Sequence, residues 1–152
     1  MATVLTLIGV LIVLAILTAQ KLVQCARASA TATQMVFMRT GLLNLATNCE
    51  GPPLTAQSEG DPGLTYQPAG ATCWSGPYLA RWPATTSFGR GTSFRYRSEV
   101  GAAAQLSAES LKAAEARALA SEVAPMFAGQ AKLISSRGMW SVSVNIGTSD
   151  QK

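Results

Sequence analysis

Any chemistry in this chain must come from few groups, because its 152 residues include no histidine, three cysteines and only eight carboxylates. Without imidazole, the commonest general base, proton shuttle and metal ligand is missing. Neither a Ser/His/Asp set nor a Cys/His pair can be assembled. Glu109, Glu115 and Glu122 are separated by six and seven residues, which on a helix reads as a solvated face. Asp61 and Asp150 are two scattered acids, too few for a calcium loop. Gly89-Arg90-Gly91 lacks the strand-to-helix setting of a phosphate cradle. The residues therefore offer no catalytic set, no metal site and no cofactor.

Thiol chemistry remains. Cys49 and Cys73 bracket a loop-rich stretch, and pairing them closes a loop of about two dozen residues, stabilising by about 3 kcal/mol in an oxidising compartment. In a reducing compartment all three cysteines stay thiols. Cys25 lies inside an apolar helical run and reads as a small packing residue. The twelve Lys and Arg residues give a net charge of +4. They are scattered among the acids and form no basic patch with interleaved aromatics, the signature of a nucleic-acid track.

The elements that position these groups begin with an N-terminal run, MATVLTLIGVLIVLAILTA, of nineteen uncharged residues. At about 1.5 Å per residue it matches the roughly 30 Å hydrocarbon layer of a bilayer. Thr3, Thr6 and Thr18 can bond back to the preceding helical turn. No proline occurs before Pro52, and the apolar positions continue at helical spacing through Met35, Met38, Leu42 and Leu45. One helix of about 45 residues, roughly 70 Å long, follows. Its first half is apolar all round and its second half on one face. Gly51-Pro52-Pro53 ends it. No basic residue precedes the apolar run, unlike a cleaved secretory signal, so the segment reads as retained. Lys21, Arg27 and Arg39 follow it, a bias that alone draws that side towards the cytoplasm; a basic leader preceding Met1 reconciles this with an exported head.

Residues 54–75 read as loop. Ser93 to Val100 alternates, with Phe94, Tyr96, Ser98 and Val100 on one face, and reads as a half-buried strand. Ser107 to Val123 reads as a helix with Ser107 as N-cap, Glu109 in the first turn and Pro125 as its stop. Ala131 to Ser135 and Met139 to Ile146 flank Ser136-Arg137-Gly138 as a hairpin, with Trp140, Val142, Val144 and Ile146 on one face. The expected fold is α+β: a long N-terminal helix packed on a small antiparallel sheet, with one extra helix. Residues 1–33 are expected to protrude, and 34–152 to form the head.

This layout, with its disulfide-ready cysteines, resembles the type IV pilins and the pseudopilins of type II secretion. Gly76-Pro77-Tyr78-Leu79-Ala80-Arg81-Trp82-Pro83, Phe88-Gly89 and Phe94-Arg95-Tyr96 are similar to the segment after the long helix in major pseudopilins and some pilins. The resemblance implies a structural subunit of an extracellular helical filament, a homo-oligomer held in the bacterial inner membrane before assembly and displayed at the cell surface after it. It implies a prepilin peptidase that removes a leader, methylation at Met1, and an ATP-driven assembly platform. Val4, Leu7, Leu11, Leu14 and Leu17 are the expected filament-core packing residues. The roles open to such a filament include motility, adhesion, secretion and contact with DNA or a host surface. Three positions depart from the family: Leu5 stands where most pilins have glutamate, and Leu14 and Leu22 stand near the usual glycine and proline. The calcium-loop aspartates of major pseudopilins are not matched in Ala84-Thr85-Thr86-Ser87. A secretion pseudopilin is the close alternative, and a single-pass anchored domain that never polymerises is the distant one.

Overall fold

The computed structural model describes residues 2–49, 60–98 and 104–146. Expectations placed on Met1, on the stop at Gly51-Pro52-Pro53, on Val100 and on Asp150 lie outside the described residues. The fold is α+β, with elements in the order α1 (Ala2–Asn48), β1 (Ser93–Arg97), β2 (Gln105–Leu111), α2 (Ala113–Met126), β3 (Ala131–Ser136) and β4 (Met139–Asn145).

Helix α1 runs 47 residues without a break. Its buried positions, Ala28, Thr31, Ala32, Met35, Met38 and Leu42, recur every three or four residues and make one stripe. Burial starts at Ala28, ahead of residue 33. The stripe shares one hydrophobic core with Leu119 and Val123 of α2 and with the inward side chains of the sheet. Two further contacts fix the helix. The Thr31 hydroxyl donates to Arg27 O at 2.8 Å and accepts from Ser87 N–H at 3.2 Å, tying the loop to α1. The Arg39 guanidinium lies 5.4 Å from the centre of the Phe127 ring, just past α2, a cation–π contact.

The sheet is antiparallel in the order β1-β2-β4-β3. Phe94 faces Ala108, which faces Val142; Tyr96 faces Leu106, which faces Val144. These rows form the inward face, so the alternation in β1 and β4 is the one the sequence displays. β4 lies between β2 and β3, and α2 connects the two strands that it separates, a split β-α-β arrangement. The β3–β4 hairpin turns through Arg137 and Gly138, both at positive φ (51° and 77°), the pattern of a type I′ turn.

Residues 105–111 correct the sequence reading. They form β2, not the start of a helix, and Ser107 is a strand residue rather than an N-cap. Alanine, glutamate and leucine favour helix locally. Here β2 is held by ladders on both sides, with Leu106 and Ala108 fully buried, and that pairing outweighs the local preference. Glu109 accordingly pairs with Arg95 Nε at 3.3 Å instead of sitting in a first helical turn. Helix α2 begins at Ala113, where the Glu115 carboxylate accepts the Lys112 N–H at 2.9 Å, half of a capping box. Pro125 falls within the last turn, and the helix closes at Met126.

The disulfide joins Cys49, at the end of α1, to Cys73, with Cα atoms 5.2 Å apart and a sequence separation of 24. Beyond it the loop is held by side chains. The Asp61 carboxylate accepts the N–H groups of Gly63, Leu64 and Thr65 at 3.1, 2.6 and 2.9 Å, and the Thr65 hydroxyl as well. This fold-back seats Leu64, fully buried, against α1 beside Gly41. Gly63 makes the turn at φ +101°, and a Cβ there would lie 2.4 Å from Pro68. Trp74 Nε1 donates to Gly63 O at 2.7 Å, and Asn48 donates to Ser75 Oγ and Tyr78 Oη at 2.8 and 2.7 Å.

Two outcomes test this architecture. The Cys49→Ser/Cys73→Ser pair should melt lower by an amount equivalent to about 3 kcal/mol, read by thermal circular dichroism with and without reductant on the parent chain. Hydrogen bonds from Asn48 and then Ser75 hold the Tyr78 phenol below its usual value near 10, whereas burial raises that of Tyr96. In an alkaline titration followed by ring NMR, Tyr78 should ionise ahead of Tyr96, and Asn48→Ala should narrow the gap.

Candidate functional site

Among the described residues, the most extended exposed apolar surface is the N-terminal half of α1. Val4, Leu7, Leu11, Leu14 and Leu17 are 58, 65, 64, 54 and 52% exposed. They do not stand apart from their neighbours: Ile8, Val10, Ile12, Val13 and Ile16 are 48–58% exposed on the remaining faces. These values are those of a helix touching nothing. The apolar surface also extends past Lys21, through Leu22 and Val23 at 71 and 49%. Sequence reasoning left those two out of the packing set, although their hydropathy marks them.

Internal bonding completes the apolar character. The Thr18 hydroxyl is turned onto Leu14 O at 3.1 Å and Ala15 O at 2.9 Å, so it presents no unpaired donor to its surroundings. Within Thr6–Asn48 the most apolar stretch has a mean hydropathy of 2.2 and is wholly uncovered, making α1 long and apolar enough to cross a membrane. Fully burying each Val, Leu or Ile contributes about 1.5–3 kcal/mol, so roughly ten such side chains left in water are a large deficit. An exposed apolar surface of this size marks contact with lipid or protein.

Cys25 corrects a second expectation. It is exposed, not packed into the head, and its Sγ lies 3.9 Å from Glu122 Oε1 of α2. This contact sits where α1 leaves the head. The side chains of Lys21 to Arg27 on the protruding side are all exposed. Met1 lies outside the described residues. Among the described residues, no group of three or more His, Cys, Asp or Glu side chains is placed to hold a metal ion.

Comparison of the chain with protein-family models, curated proteins and solved structures gives no match. The functional reading therefore rests on the geometry of this molecule and the chemistry of its surfaces.

The uncovered helix makes a direct prediction. In Triton X-114 phase separation the chain should partition into the detergent phase, and Leu11→Asp combined with Ile12→Asp should move most of it to the aqueous phase. Unchanged partitioning of the double variant would show that these faces do not carry the lipid-like surface.

Proposed function

We propose that this chain is a type IV pilin-like subunit of an extracellular helical filament. One observation carries the reading: a single unbroken 47-residue helix is bare and apolar in its first half and forms core in its second. A membrane anchor needs about 20 residues and no rigid connection to the domain it holds. Here the anchor-length surface is continued without a break by the helix whose second half packs into the head's core, so no linker separates the two. Such a rod stays out of water after leaving lipid only if copies of itself surround it, and a repeated contact that does not close on itself generates a helical array.

In this reading the subunit waits in the bacterial inner membrane with α1 spanning the bilayer. A prepilin peptidase exposes Met1 for methylation, and an ATP-driven platform moves the subunit into the growing stack. Val4, Leu7, Leu11, Leu14 and Leu17, with Ile8, Ile12 and Leu22, become core, and the head forms the outer layer at the cell surface. The Cys49–Cys73 bridge suits a head exposed to an oxidising compartment. Pseudopilin service in a secretion machine uses the same assembly. A single-pass anchor is the second reading, supported by the mean hydropathy of 2.2.

Electron microscopy of filaments sheared from cells separates the readings. The parent chain should appear in filaments, and Leu7→Asp should remove them while the head retains its disulfide and its melting transition in micelles. Normal filaments from Leu7→Asp, or a parent chain found only in detergent-extracted membranes, would refute assembly through α1.

A further inference from the structure

The sheet has a second face. Opposite the core, the outward side chains of β1, β2 and β4 line a groove of about 380 Å³ that the filament reading does not use. Arg95 and Arg97, two apart on β1, reach into it from one side. Arg137, in the β3–β4 turn, reaches in from the other. Ser107 and Ser143 are directly paired across β2 and β4 and form a floor, 9 and 4% exposed beneath the longer side chains. Glu109, held to Arg95 at 3.3 Å, adds a carboxylate.

The backbone is distorted where the groove opens. The β2–β4 register shifts between Ala108 and Leu111, and Ser110 inside that bulge adopts φ 63°, a left-handed conformation that non-glycine residues avoid. Arg137 adopts φ 51° at a turn position that favours asparagine or glycine. Two non-glycine residues in this conformation thus line one groove, and both place polar side chains at it. Strained backbone held in place beside a concavity is a mark of a binding site.

We infer that this groove binds an acidic saccharide, one or two sugar units bearing a carboxylate or sulfate. The guanidiniums match a planar oxyanion through paired N–H donors. The serine hydroxyls and the Glu109 carboxylate match sugar hydroxyls. The cationic groups close around a compact site rather than continuing as a track, which disfavours nucleic acid. The inference stands whether or not the chain polymerises, since it concerns the face turned away from α1.

Isothermal titration of the full chain, in a polyoxyethylene detergent without sugar headgroups, tests it with three probes: a hyaluronan tetrasaccharide, the neutral chitotetraose and a single-stranded DNA dodecamer. The hyaluronan tetrasaccharide should bind with Kd below about 1 mM. Chitotetraose should bind about tenfold more weakly or not at all, as charge-assisted bonds are lost. Arg97→Gln with Arg137→Gln should weaken hyaluronan binding by about tenfold or more, Arg97→Lys should have an intermediate effect, and Arg81→Gln, outside the groove, none. Circular dichroism should show all variants folded. Absence of hyaluronan binding, equal binding of chitotetraose, or indifference to the groove substitutions would overturn the proposal. DNA binding that the double substitution abolishes, without hyaluronan binding, would also overturn it and give the groove to a phosphate backbone.

Discussion

Apolar surface that none of the described residues covers is the constraint on which the rest of this structure depends. From Val4 to Val23 the long helix presents Val, Leu and Ile on every side. No rearrangement of the head could cover that surface while α1 remains one straight element, because helix and head share a core. In the filament reading the cover comes from outside the chain, first as lipid and then as sibling helices. Dispersion and hydrophobic contacts are non-directional, so the apolar half supplies cohesion without fixing a register. Specific geometry then falls to the parts that are shaped and polar: the joint near Cys25 and Glu122, the disulfide loop, and the surface of the head.

The head is arranged to hold one helix stiffly. Met35, Met38 and Leu42 enter the core from α1, Leu64 closes on the helix from the loop, and the disulfide clips that loop to the helix end. Asp61 spends its carboxylate on three backbone N–H groups, so the loop meets α1 with its polar groups satisfied. α1 is thus joined to the sheet through packed side chains and to the loop through one covalent bridge.

Where the signal was long and periodic, the sequence was readable. The unbroken apolar run and absence of proline marked α1; the alternation of Phe94 and Tyr96, and of Val142 and Val144, marked β1 and β4; bracketing marked Cys49 and Cys73. β2 was hidden because Gln105-Leu106-Ser107-Ala108-Glu109 has the composition of a helix, and only its position between two strands makes it extended. Cys25 was misplaced because helical periodicity gives the face of a residue but not where the head stops. The five residues expected to pack a filament core were legible as apolar, yet no face of that segment is set apart, so spacing had nothing to select. The groove was invisible for a related reason: it joins β1, β2 and a turn some forty residues away, an adjacency that only the register creates.

The position of β4 in the sheet has a consequence for the making of the protein. β4 is synthesised after the other three strands, yet it lies between β2 and β3, so β3 has no ladder partner until β4 arrives. Closing such non-local pairs is slow compared with forming a helix. A ribosome therefore delivers the greasy rod long before any finished sheet exists behind it. In the filament reading, where the head is exported, the rod can reach the bilayer while the remainder is still an unpaired thread, and the last strand to emerge locks the sheet.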